Sequence, residues 1–191
     1  MSEGLDVDAH QLTWLDHFIQ LRRIRKAIRH IPDGARVLDV GAFDGRLFRE
    51  LGPRLGSGVG VDPNPAQEGA FGNYVLNKGF FPDVDLDGPF DAITMLAVIE
   101  HIPRERQADV AAACARLLRP GGRLIITVPS PIVDTILHWL GRFRLMRCIE
   151  FHQHYGLEPD EVGRVFSQHL DLVVHKRFQL GLNNLFLFAR R

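Results

Sequence analysis

The chain has 191 residues, of which 46% are apolar and 24% charged, and its 23 lysines and arginines balance 23 aspartates and glutamates. That length and composition fit one soluble globular domain with a full core, and the charge balance supplies no global field toward nucleic acid or a membrane surface. Two scattered cysteines, Cys114 and Cys148, exclude a disulfide framework or a zinc site and fit a reduced, cytoplasmic setting.

From Gln11 to about His30 the apolar residues Leu12, Leu15, Ile19, Ile24 and Ile28 recur as one helical face, with the arginines mostly opposite. The acid-bearing N-terminus does not read as a signal peptide. "IPDG" stops the helix, and "ARVLDV" follows as a buried strand. "GRLFREL" predicts a short helix ended by "GP", "GSGVGVD" a second strand closed by "PNP", and "NYVLN" a third. "PFDAITML" is the fourth strand, and the apolar run around it, "AITMLAVI", is far too short to span a bilayer. "PRERQADVAAACARLL" predicts a helix with Pro103 near its start and "RPGG" at its end. "RLIITV" is a fifth strand, and "PIVDTILHWLGRF" and "EPDEVGRVFSQH" are amphipathic helices. "LDLVVHKRFQL" and "LFLFARR" close the chain as an antiparallel pair about "GLNN".

This alternation predicts an α/β domain built on a doubly wound, mainly parallel sheet with helices on both faces. Ligands of such sheets sit beyond the carboxyl ends of the strands, where the strand order reverses. The loop after the first strand, "VLDVGAFDG", is therefore the place to look. A dinucleotide fingerprint requires glycine at the places of Gly41, Phe43 and Arg46, and two of the three fail. A phosphate loop fails as well, for want of a lysine after the glycines. What remains is an Asp, then Gly41 and Gly45 four residues apart, with Asp44 able to cap the following helix. Seventeen residues beyond Gly45 the second strand ends at Asp62, an acid able to accept from both hydroxyls of a ribose. The pattern suits a nucleoside without a phosphate.

"VLDVGAFDG", "GVDPNP", "FDAITMLAVIEHI" and "LLRPGGRLIITVPS", in this order and spacing, resemble the class I S-adenosylmethionine-dependent methyltransferases. The closest likeness is to their small-molecule branch of the type 11, 12 and 23 kind, across roughly residues 35–130. The resemblance implies a Rossmann-like sheet of seven strands whose last strand is antiparallel, and S-adenosyl-L-methionine as cofactor. It divides the single domain into an N-terminal helical extension (1–34), a cofactor-binding core (35–130), a substrate-side lid region (131–157), and a C-terminal helix and strand pair (158–191). Asp39, Gly41 and Gly45 would form the loop near the methionine end. Asp62 would hold the ribose hydroxyls, Pro63 would lie against the adenine, and Leu96 would offer its carbonyl to the amino group. Gly79 and Phe80 fall in the adenine-contacting loop, where many relatives carry an acid; here Asn77 or a backbone carbonyl substitutes. Phe43 departs from the usual glycine. It is tolerable if its φ stays negative and its side chain points away, and it fills space beside the second strand, covers the pocket mouth, or closes the cofactor site.

The reaction would be an in-line displacement at the sulfonium methyl, in which the protein aligns donor and acceptor. A hydroxyl or amine acceptor needs a base, and the candidates are His101 and His154, followed by His152, Tyr155 and Glu100. His101 caps the following helix or touches substrate; Glu100 reads first as a structural hydrogen-bonder. Glu150, His152 and His154 alternate as on one strand face but lack a further metal ligand, so no metal is expected. The broad apolar face of "PIVDTILHWLGRF" is a packing surface or a lid over an apolar, lipid-like acceptor, and contact with a membrane surface ranks below both. The expected activity is methyl transfer to a small molecule. A nucleic-acid (RNA) methyltransferase is the alternative, weakened by "MLAVIEHI" in place of an N-P-P-aromatic segment. A non-catalytic binding protein on the same fold is the third possibility. Oligomeric state is not encoded legibly.

Overall fold

The computed structural model describes residues 14–130 and 159–191. In chain order they form α1 (Trp14–Ile28), β1 (Ala35–Val40), α2 (Arg46–Leu51), β2 (Leu55–Asp62), β3 (Gly69–Phe71), β4 (Tyr74–Lys78), β5 (Phe90–Leu96), α3 (Arg104–Leu117), β6 (Leu118–Pro129), α4 (Pro159–Phe166), β7 (Asp171–Phe178) and β8 (Asn183–Ala189). The expected lid segment, together with Cys148, His152, His154 and Tyr155, lies outside the described residues.

The strands make one sheet in the order β3-β4-β2-β1-β5-β6-β8-β7. β4, β2, β1, β5 and β6 run parallel, while β8 lies antiparallel between β6 and β7. The doubly wound, mainly parallel architecture with an antiparallel end is thus present. Among the described residues the strands number eight where seven were expected, because β3 adds one through a hairpin onto β4. Phe71 pairs with Tyr74, so Gly72 and Asn73 form a two-residue loop. The Asn73 amide nitrogen donates to the Leu55 carbonyl at 2.8 Å, pinning that loop to the start of β2. A three-residue strand rich in small residues leaves no periodic signal. "RPGG" also behaves differently from expectation. It lies within the run of β6, where the ladder is irregular, and Gly121 N–H and Gly122 C=O both bond to the Arg190 backbone at 2.9 Å.

Two hydrophobic cores sandwich the sheet. On one face Val110, Ala111, Cys114 and Leu117 of α3, with Val162 and Phe166 of α4, pack on Leu38, Ile93, Ile126 and Phe186. On the other face Ile24, Ala27 and Ile28 of α1, with Leu47, Phe48 and Leu51 of α2, pack on Val37, Ala92, Ile125 and Leu185. Both helix sets carry apolar residues three and four apart, the stripe needed to cover a sheet. β1 is buried along nearly its whole length, as a central parallel strand covered on both faces must be. The chain leaves β1 toward β2 and β4, then returns to β5 on the other side, so the order reverses between β1 and β5. Loops diverge there and open a cleft.

Candidate cofactor site

A cleft lies at this reversal, lined by Asp39, Gly41, Phe43 and Leu96 from the sheet side and by Gln20 and Arg23 from α1. Gly41, with φ +79°, turns the chain sharply out of β1. A Cβ there would come within 2.4 Å of Val98 Cγ2, so the two diverging loops touch at the base of the cleft. Gly45, with φ +71°, stands at the entry of α2. The cap is displaced by one residue from its usual place: Asp44 Oδ1 accepts from Arg46 N–H at 3.0 Å, and Asp44 also pairs with Arg49 at 2.6 Å.

Phe43 does not keep a negative φ. Its φ is +41°, a conformation that costs a side-chain-bearing residue free energy. Its flanking backbone is held in compensation: Phe43 N–H donates to Asp62 Oδ2 at 3.0 Å and Phe43 C=O accepts from Ala66 N–H at 3.0 Å. The ring is 49% exposed and stands at the cleft wall.

Asp62 closes β2 with its carboxylate oriented by two backbone donors, Phe43 N–H on one oxygen and Asn64 N–H at 2.8 Å on the other. A carboxylate has about four acceptor positions, so two such bonds orient it and leave capacity for further donors. Gly79 N–H donates to Asp62 C=O at 2.9 Å, tying the loop after β4 to this point. Pro63 is half-buried beside it, and Phe80 is exposed. Asp62, Gly41, Phe43, Gly45, Pro63 and Gly79 therefore gather at one end of the sheet. Asn77 sits in β4 opposite Val61, and the nearby Asp83 is engaged by Arg106 at 2.6 Å.

Asp39 is buried, and Thr94 Oγ1 donates to its Oδ1 at 2.6 Å. Burial pushes its carboxyl up to about 7; the Thr94 hydrogen bond opposes the rise, and the neighbouring carboxylates of Asp62 and Asp44 add to it. Leu96 ends β5, and Ala97 after it has φ +62° with its N–H bonded to Thr127 C=O at 2.9 Å. Val98, Ile99 and Glu100 follow, with Glu100 buried. His101 is exposed in the single turn Ile99–His101. α3 begins after Pro103, which stands at its N-cap position. Among the described residues no cluster of three or more His, Cys, Asp or Glu side chains could hold a metal ion.

From the sequence, Arg23 belongs to a basic stripe, Arg22 to Arg29, that reads first as a solvated face and second as a surface for an anionic substrate, lipid headgroup or nucleic acid; Gln20 carries no signal of its own. The signal they share is positional. Gln20, Arg23 and Ala27 follow one another at helical spacing, and Ala27 is fully buried. Arg23 Nε donates to Asn183 Oδ1 at 2.8 Å. Gln20 Oε1 accepts from Arg46 at 2.8 Å, so α1 is joined by hydrogen bonds both to the first residue of α2 and to β8.

A family model described as a methyltransferase domain matches residues 13–172. A ubiquinone biosynthesis O-methyltransferase of Xylella fastidiosa (strain 9a5c) is 31% identical over 192 residues, covering 91% of this chain and 77% of that protein. One from Dechloromonas aromatica is 30% identical over 132 residues, covering 64% of this chain and 51% of that protein. The chain thus spans about half the length of that second relative. Among solved structures, a magnesium protoporphyrin IX methyltransferase from Synechocystis PCC 6803 with bound SAH superposes with a TM-score of 0.70 at 16% identity, covering 96% of this chain and 90% of that one. At that identity the likeness is one of fold.

Proposed function

The chain belongs to the class I S-adenosylmethionine-dependent methyltransferases, and from that premise we propose that it methylates a hydroxyl group of a small molecule. The observation that carries this reading is the Asp62 carboxylate, oriented by two backbone N–H groups at the strand end beside the Gly41 turn. The residues fit the cofactor. An oriented acid suits a ribose diol, and a cationic Arg23 and a buried acid, Asp39, flank the same cleft, as the two charges of an amino-acid moiety require. The choice of oxygen as the methylated atom rests on the likeness to the two O-methyltransferases.

When bound, S-adenosylmethionine supplies an electrophilic methyl group on a sulfonium centre. Asp62 accepts hydrogen bonds from the ribose hydroxyls, while Pro63, Gly79 and Phe80 border the adenine. Asp39 and the Leu96 carbonyl receive the amino group, and Arg23 meets the carboxylate. Gly41 and Gly45 let the backbone approach the ligand without a side chain between. Phe43 covers the mouth and excludes water. His101, exposed at the end of the β5 loop, takes the proton from the acceptor hydroxyl; His154 is the second candidate for that role.

Asp62→Ala is expected to weaken binding of S-adenosylhomocysteine tenfold or more in a calorimetric titration, about 1.4 kcal/mol at the least. Unchanged affinity would remove the ribose assignment and with it the proposed activity.

A further inference from the structure

We infer that Asn183 is a positioning residue, which aims the Arg23 guanidinium at the carboxylate end of the bound nucleoside from the opposite end of the chain. This rests on the proposed cofactor reading and deepens it. Arg23 and Asn183 stand 160 residues apart and meet through a 2.8 Å hydrogen bond from Nε to Oδ1. Arginine nitrogens only donate, so the amide atom facing Nε is the oxygen, and the amide nitrogen is left to donate elsewhere. It does so, to Gln179 Oε1 in the turn between β7 and β8. Asn183 is 3% exposed, and its main chain opens β8 in register with Pro129 and Phe178.

The amide is therefore fixed on both sides. A hydrogen bond at Nε restrains rotation of the guanidinium plane. The plane's terminal nitrogens form the fork that meets a carboxylate in two parallel bonds. The turn that supplies Gln179 is itself anchored. Ser130 Oγ donates to Gly181 C=O at 2.5 Å, Ser130 N–H to Leu182 C=O at 2.8 Å, and the Asn184 amide nitrogen to Ser130 Oγ at 3.0 Å. Gln179, Leu180 and Gly181 all have positive φ, at +52°, +57° and +84°. Two of these carry side chains, so this turn persists because the surrounding bonds hold it. An antiparallel pair that is far from the glycine loop in sequence thus orients a cation in the cleft.

Two ligands separate this role from a merely structural one. S-adenosylhomocysteine carries the carboxylate, and 5′-methylthioadenosine carries the same nucleoside without it. Asn183→Leu and Asn183→Ser are expected to weaken S-adenosylhomocysteine about tenfold, the usual size for a lost hydrogen bond to a charged group. Both are expected to leave 5′-methylthioadenosine within about twofold, and to add nothing to the loss already caused by Arg23→Met. Affinities for the two ligands falling together, an unchanged S-adenosylhomocysteine affinity, or a further full loss in the Arg23→Met background would each overturn the inference. If the unsubstituted protein binds neither ligand, the cofactor reading itself fails and the inference falls with it.

Discussion

Asp39 is a carboxyl group placed where ionisation is expensive. Its value of about 7 in the fold lies above the ordinary 3.8. Its contribution to stability is therefore present in full below about pH 3.8 and is lost as the pH rises to about 7, about 4 kcal/mol in all. Asp39→Asn keeps an oxygen to accept from Thr94 and has no charge to desolvate. In the ligand-free protein it is expected to raise the melting temperature at pH 8 by on the order of 10 °C and to leave it unchanged near pH 4; equal shifts at both pH values would contradict the burial account. Gly41→Ala faces both a positive φ and the Val98 methyl group. It is expected to cost about 1–3 kcal/mol in urea unfolding, and Val98→Ala is expected to recover the steric part alone. The turn at Gly41 and the end of β2 at Asp62 were legible from the sequence, because an apolar run broken by glycine or by an acid and proline marks a strand's end. Phe43 was legible as an anomaly but not in its conformation, because the hydrogen bonds that hold it at positive φ come from Asp62 and Ala66, well beyond its own turn.

At the scale of elements, α1 does two jobs at once. Ile24, Ala27 and Ile28 seat it on the sheet, and Gln20 and Arg23 on the adjoining stripe face the cleft. Ile24→Ala is expected to cost about 2–4 kcal/mol of stability and to weaken S-adenosylhomocysteine binding through Arg23. A variant with the full stability loss and undiminished affinity would separate the two jobs. Helical periodicity announced α1, and apolar runs between turn residues announced the strands, since β1, β5 and β8 are buried along nearly their whole length. Neither announced β3, which is too short to show a period. Turn residues also broke the chain at "RPGG", where backbone bonds to Arg190 carry the strand through. That Arg23 lines the cleft was hidden for a different reason: a charged residue beside an apolar stripe looks the same whether it faces water or a cleft, and only the docking angle of α1 decides.

Across the whole molecule, two cores on opposite faces of one sheet make stability a shared property. Cys114 is buried in the core beneath α3, and burial alone pushes its thiol well above the usual range. Such a thiol is unreactive while the fold persists. With Cys148 replaced by serine, labelling of Cys114 by a thiol reagent is expected to occur at the rate of global unfolding and to slow when S-adenosylhomocysteine is added. Labelling that outpaces unfolding would mean that the α3 layer opens by itself.

β8 sits inside the sheet, between β6 and β7, although it follows both of them in the chain. Until residues 183–189 have cleared the ribosome, β6 keeps one row of amides without its strand partner, and β7 has nothing to pair with. During synthesis this flank of the sheet therefore closes by insertion of a seven-residue strand between two neighbours made before it, not by addition at an outer edge.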